Sequence, residues 1–264
     1  MSWKITTFGK KPKLNKAVLI EGLPGIGNVG KVAVDFIIDE MKAVKLYELF
    51  SYTFPHSVFV NEDNLIEMPK IEIYYKKMKK GRDLILLAGD VQPIDEVSCY
   101  EFSEKILDIL EDLGGKEVIT LGGVGLQGIP KKPKVFCTGN SKAIIKRYKS
   151  GITFEEDLHG VVGPIVGVSG LLLGLAQKRK IEAISFLAET YGHPMYLGVK
   201  GAREILKILD KNFSLKINLK DLDKEIKELE NEMMKRTDEF AEVSKSTAMK
   251  KVKGRFGEET SYIG

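Results

Sequence analysis

The sequence predicts an α/β fold: a mainly parallel sheet flanked by helices, with a C-terminal helical arm. Three observations predict it. Short apolar runs alternate with stretches of helical periodicity along residues 15–210. The run Leu84-Ile85-Leu86-Leu87-Ala88 is uniformly apolar, as a strand covered on both faces must be. Glycines cluster directly after the apolar runs, at Gly22–Gly30, Gly89, Gly122–Gly128 and Gly139, where the chain must turn at the carboxyl ends of strands.

Taken in order, Val18-Leu19-Ile20 reads as the first strand, followed by Gly22-Leu23-Pro24-Gly25 and a helix whose face is Val29, Val32, Phe36 and Ile37. Ala43–Phe50, Ser57–Val60 and Lys70–Tyr75 read as strands, the last alternating Ile71, Ile73 and Tyr75. After Leu84–Ala88, the residues Phe102, Ile106, Ile109, Leu110 and Leu113 mark an amphipathic helix that Gly114-Gly115 stops. Glu117–Leu121 is a strand expected to end at Gly122-Gly123. Val135–Cys137 and Ile181–Leu187 complete the strands, and helices are expected at Ser141–Tyr148, Ser169–Arg179 and Val199–Leu209.

Beyond Phe213 the composition changes. Asn218 can cap a helix starting near Leu219. Leu222, Ile226, Leu229, Met233 and Phe240 then form one narrow apolar seam on an otherwise Lys- and Glu-rich helix. Such a seam docks an arm on its own body or pairs it with another chain. From Ser244 on the residues are mostly Ser, Thr, Lys, Gly and Glu, a composition that predicts a flexible tail. The expected organisation is a core over 1–214, an arm over 215–243 and a tail over 244–264.

Composition narrows the function. Lys and Arg number 41 against 37 Asp and Glu, a formal charge of +4 spread along the chain. This argues against a nucleic-acid binder, which would concentrate basic residues on one face. Cys99 and Cys137 are the 2 cysteines. They form neither a disulfide framework nor a metal spacing, and they fit a reducing, cytoplasmic setting. The uncharged stretch Gly160–Gln177 is interrupted by Gly163, Pro164, Gly167 and Gly170. It therefore predicts a buried turn feeding a buried helix, not a membrane span.

Candidate chemistry centres on Gly25-Ile26-Gly27-Asn28-Val29-Gly30, which fits G-x-G-x-x-G between a strand and a helix, with Glu48 further on as a candidate ribose-binding acid. The intervening Gly22-Leu23-Pro24 would carry this loop away from the strand end. That favours a tight structural crossover over a cofactor cradle. No Gly-Lys-Ser/Thr follows, so a P-loop is excluded. His56, His159 and His193 are scattered. Ser169, in Gly167-Val168-Ser169-Gly170, only loosely matches a nucleophile elbow. Cys137 suits a core position. Glu189, Tyr191 and His193 suit a hydrogen-bonded turn better than an acid–base set.

Three segments together resemble the archaeal proteasome-assembly-chaperone family: Gly22–Gly30, Gly160–Leu172 and Glu189-Thr190-Tyr191-Gly192-His193-Pro194. The resemblance implies a nucleoside-phosphorylase-like fold without catalytic residues, no cofactor, and a role as a homo-oligomeric assembly factor or ATP-independent activator. Its implied partners are further copies of the chain, the proteasome core particle and a second family member, with no nucleic acid and no membrane. In proteasome-activating relatives the tail ends in a hydrophobic residue, Tyr and any residue, and enters pockets between α-ring subunits. Here the end is Tyr262-Ile263-Gly264, so the tyrosine stands one position earlier. In an extended peptide this moves the ring by ~3.3 Å relative to the carboxylate. The implied partner contacts are Tyr262, Ile263 and Gly264 in the tail and Leu222, Ile226, Leu229 and Met233 in the arm. Two alternatives stay open: a nucleotide-binding enzyme or sensor using Gly25–Gly30, and a scaffold subunit for a different protein.

Overall fold

The computed structural model describes residues 3–61, 63–149, 163–194, 196–224 and 226. The chain divides into two units, 1–218 and 219–264. The first is built on an 8-stranded mixed sheet. In chain order its strands are β1 (Lys4–Thr7), β2 (Val18–Glu21), β3 (Val44–Phe50), β6 (Ile71–Lys76), β7 (Leu84–Gly89), β8 (Glu117–Leu126), β9 (Val135–Gly139) and β10 (Glu182–Tyr191). A separate hairpin, β4 (Phe59–Val60) and β5 (Ile66–Glu67), lies between β3 and β6 in sequence. The helices are α1 (Val29–Met41), α2 (Glu96–Asp112), α3 (Lys142–Lys149), α4 (Val168–Lys178) and α5 (Val199–Phe213).

The order across the large sheet is β1-β3-β6-β7-β2-β8-β10-β9. Its centre, β7-β2-β8-β10, is parallel throughout. The flanking strands β1, β3, β6 and β9 join by antiparallel pairing. This matches the predicted α/β class. The uniformly apolar run is a central strand, with every residue of β7 buried. The outer strands are reversed by the connections 8–17, 51–70, 77–83 and 127–134. β1 and β5 carry no readable sequence signal, because every residue of both is exposed. Of the stretch expected as a strand over Ser57–Val60, only Phe59-Val60 is one.

Helices cover both faces. α2 and α4 pack together over one main cluster that includes Leu19, Leu87, Phe102, Ile106, Val118, Leu172 and Ala183. On the opposite face α1 packs with α5. There Tyr148 of α3 meets Phe186 edge-on at 5.5 Å. The inner face of α1 is Val29, Gly30, Ala33, Val34 and Ile37, while Val32 and Phe36 are only half-buried. The expected face is thus rotated, because two small residues, Gly30 and Ala33, take positions where the helix comes closest to the sheet. α2 begins where Asp95 caps it by accepting from Ser98 N at 2.9 Å. It ends as expected before Gly114, whose φ of 76° suits glycine at a helix C-terminus.

Two predicted boundaries are corrected. β8 does not stop at Gly122-Gly123 but runs on to Leu126, and β10 does not stop at Leu187 but runs to Tyr191. The two extensions are paired in parallel register, Gly122 with Leu187 through Leu126 with Tyr191. Gly123 is required inside the strand because the Ile26 carbonyl stands where its side chain would be, whereas a side chain at Gly122 would meet only the end of Leu187.

Residues 219–224 are helical; Leu222 is buried and Ile226 half-buried. Leu229, Met233, Phe240, Tyr262, Ile263 and Gly264 lie outside the described residues, as does His159. Among the described residues no helix is long and apolar enough to cross a membrane.

Candidate functional site

The parallel strands all end on one side of the sheet, and this is where the loops gather. β2 ends at Glu21, β7 at Gly89, β8 at Leu126 and β10 at Tyr191. The segments 22–28, 90–95, 127–134 and 192–198 leave from these ends. Segment 163–167 enters α4 there. Because β3 and β6 are each antiparallel to the next strand in toward β7, the 51–70 excursion emerges at the same end. Open α/β sheets place ligands and partners at this end.

The glycine loop proves to be a clamp. A Cβ on Gly22 would lie 2.3 Å from Gly30 O, one on Gly30 2.4 Å from Leu121 O, and one on Gly123 2.2 Å from Ile26 O. Gly27 holds a left-handed φ of 60° and accepts from Gly198 N at 2.7 Å. A Cβ on Gly27 would stand 2.6 Å from the Thr190 hydroxyl. The loop is therefore pressed onto the ends of β8 and β10, as a structural crossover requires. The dinucleotide fingerprint fails in topology. Its acidic residue should sit on the strand next to the glycine-bearing strand. Glu48 lies on β3, with β6 and β7 between it and β2, and it is paired with Lys45 at 2.5 Å.

Beside this clamp lies a cavity of about 420 Å³, walled by Leu23, Pro24, Ile26, the 121–125 stretch of β8, Leu187 and the 163–167 turn. Small-ligand sites start near ~300 Å³, so it can hold a side chain or a small molecule. None of its lining residues is charged. Its polar side chains are already engaged. Gln92 donates through Nε2 to Pro24 O at 2.7 Å and accepts at Oε1 from Val168 N at 3.2 Å. Ser169 donates to Glu21 Oε2 at 2.8 Å.

Glu21 is the residue that sequence reasoning missed. It is fully buried at the end of β2, and its other oxygen accepts from Leu23 N at 2.9 Å. Burial pushes its carboxyl up to about 7, against the lowering effect of the bonds from Leu23 and Ser169. The available signal was an acid closing an otherwise apolar strand immediately before glycine. Its partner Ser169 lies 148 residues away, so no local pattern joins them. The Ser169 hydroxyl thus serves a buried carboxylate and is not set on a nucleophile elbow.

The Glu189–Tyr191–His193 set resolves as structure. Glu189 Oε2 accepts from Lys134 N at 2.9 Å, which fastens the 127–134 loop to β10. Tyr191 stacks on His193 with centroids 5.5 Å apart. Glu189 and Tyr191 are strand residues, not turn residues, because β10 is longer than expected. Cys137 is buried in β9 as predicted. Among the described residues no group of three or more His, Cys, Asp or Glu is placed to hold a metal.

Among the described residues, most of the exposed large apolar side chains lie on this strand-end side. Tyr52, Val58, Val60, Leu65, Ile66 and Met68 are exposed on the 51–70 excursion, Ile94 and Val97 around the start of α2, and Ile26 and Val166 at the cavity rim. Segment 50–60 contains no charged residue, although 30% of the chain is charged. Charge depletion with exposed aromatic and aliphatic groups is the composition of an interface core.

Fold and site together define an α/β platform that exposes apolar side chains at its strand-end face. Comparison with known proteins gives its family: residues 19–237 match the model of the PAC2 family, and the chain belongs to that family. An uncharacterized protein of Methanocaldococcus jannaschii is 33% identical over 252 residues, covering 95% of this chain and 93% of its own length. The crystal structure of Pyrococcus furiosus PbaB, an archaeal proteasome activator, is similar with a TM-score of 0.82 and 34% identity, over 89% of this chain and 98% of PbaB. Pyrococcus furiosus PbaA, an archaeal homolog of proteasome-assembly chaperone, shares the fold with a TM-score of 0.72 at 22% identity, over 94% of this chain and 97% of PbaA.

Proposed function

We propose that this chain works as an oligomeric, proteasome-assembly-chaperone-like protein that acts by binding other proteins, with its C-terminal tail docking on the proteasome α-ring. The observation that carries this reading is the likeness to PbaB, a proteasome activator, over nearly the full length of both chains. The exposed apolar groups of the strand-end side, with the uncharged 50–60 segment, support a protein-binding role. Of the seam Leu222, Ile226, Leu229 and Met233, Leu222 is already buried within the chain, and the others would pair the arm with another chain. The tail contacts in this reading are Tyr262, Ile263 and Gly264. In an oligomer several tethered tails meet a multimeric ring together, so weak single contacts are strengthened by ~10²–10⁴-fold.

The test is capture by immobilised proteasome core particles. The full-length chain is expected to be retained, and a chain ending at Glu258 to lose at least ~tenfold in apparent affinity. Equal capture of both would remove the tail from the mechanism. Native mass measurement of the same samples reads the oligomer. A monomeric mass for the free, full-length chain would sink the multivalent reading.

A further inference from the structure

β8 outruns its neighbour. β2 stops at Glu21, opposite Thr120, whereas β8 continues to Leu126 with β10 alone beside it. Along a strand, successive residues turn their N–H and C=O to opposite sides. Leu126 O accepts from Gly192 N on the β10 side. By alternation Leu121, Gly123 and Gly125 present N–H and C=O on the side that β2 has vacated. At Leu121 that side is closed by Gly30 of α1. At Gly123 and Gly125, among the described residues, no strand pairs with β8 on that side. The Ile26 carbonyl stands over Gly123 along its Cβ direction.

This edge, unpaired with any other strand among the described residues, borders the 420 Å³ cavity. Since Gln92 and Ser169 are engaged internally, the polar groups left to a ligand are backbone ones. Gly123 and Gly125 are spaced by one strand repeat, ~6.7 Å, which matches the spacing of successive inward-facing peptide groups on an added strand. The walls are apolar and uncharged, and the rim residues Ile26 and Val166 are exposed.

We propose that the projecting edge of β8 at Gly123–Gly125 is a peptide-binding site: an extended, uncharged segment of a partner protein adds as a strand there and seats one aliphatic side chain in the adjoining cavity. Main-chain bonds supply affinity and the pocket supplies selectivity, as in other strand-addition complexes. The absence of side chains at Gly123 and Gly125 lets the incoming backbone lie close. The site would receive a segment of a partner protein.

The experiment uses the full-length protein and a short, capped peptide of alternating Val and Thr. Saturable binding is expected, together with slowed amide exchange at Gly123 and Gly125. The same peptide N-methylated at every second residue, which cannot donate on one edge, is expected to bind at least ~tenfold more weakly. Val166→Asp, at an exposed rim position, is expected to weaken the unmodified peptide by ~tenfold without lowering Tm, because the peptide would desolvate the new charge. Gly122→Val is expected to do the same by filling the floor. A Cβ at Gly122 meets only Leu187 Cδ2, at 3.0 Å, and that side-chain end can turn aside. Any of three results would overturn the proposal: protection of the Gly123 and Gly125 amides in the free protein, equal binding of the N-methylated peptide, or equally strong competition by N-acetyl-valine amide. Capture by core particles reads the tail and amide protection reads the edge, so either reading can fail alone.

Discussion

Gly30→Ala is expected to destabilise the protein by about 3 kcal/mol and to lower Tm by roughly 6–12 °C. The sign is the informative part. In a helix free of tertiary contact, replacing glycine by alanine stabilises by about 1 kcal/mol, since alanine loses less backbone entropy. At Gly30 the new methyl would stand 2.4 Å from the Leu121 carbonyl oxygen, a backbone atom in the paired interior of β8 that cannot turn aside. Either α1 lifts from the sheet or β8 is displaced. Lifting α1 also disturbs Gly22, whose own Cβ position falls 2.3 Å from Gly30 O. Gly174 is the control. It lies on the exposed side of α4 with nothing within 4 Å of its Cβ position, so Gly174→Ala should raise stability by about 0.5–1 kcal/mol. Chemical denaturation of both variants checks the pair. Stabilisation by Gly30→Ala would mean that α1 and β8 are not in the contact described.

The same contact shows what could and could not be read from residues in order. The glycine run after Val18-Leu19-Ile20 announced a crossover, because so many glycines next to a buried strand imply close backbone approach. Its target was not readable. Gly30 meets Leu121, Gly27 meets Thr190, and Gly123 meets Ile26, and each pair is brought together only by the strand order β2-β8-β10. The expectation that β8 ends at Gly122 failed for the same reason. A glycine pair is a stop signal locally, but here Gly123 is where the Ile26 backbone packs against a continuing strand. β7 was readable because burial on both faces leaves an unbroken apolar run. β1 was not, because Lys4–Thr7 rests at the sheet edge with every residue exposed, and its pairing with β3 leaves no periodic trace. On α1 the helix itself was readable but its face was not. Large residues suggested Val32 and Phe36 as inward, while the close approach of the helix favours Gly30 and Ala33. Glu21 was hidden for a different reason. A carboxylate in a fully buried strand contradicts the pattern around it, and only Ser169 and the Leu23 amide make it tolerable.

That carboxylate should dominate one part of the stability profile. In the folded protein Glu21 keeps its proton to about pH 7, whereas in the unfolded chain it loses it near pH 4.5. Between these values the folded state binds more protons than the unfolded state, so stability falls as pH rises. Below the lower value both states are protonated and the full benefit is present. Above the upper value the folded protein holds a buried, ionised carboxylate, and the benefit is gone. The loss from this residue is about 3 kcal/mol at full exposure of the effect. Glu21→Gln keeps the shape, an acceptor for Leu23 N and a group beside Ser169, but does not titrate. Denaturation midpoints measured from about pH 4.5 to 8 should therefore converge at the acid end and separate at the alkaline end, with the glutamine variant more stable there by about 2–3 kcal/mol. Every other titrating group contributes equally to both proteins, so the difference between the curves isolates Glu21. Parallel curves would show that the carboxylate ionises at its ordinary pH, and hence that water reaches it through the cavity beside Ser169. A gap of the expected size would instead make the strand-end platform a pH-sensitive element, one whose hold on the 163–169 turn through Ser169 depends on a proton shared with the solvent near neutrality.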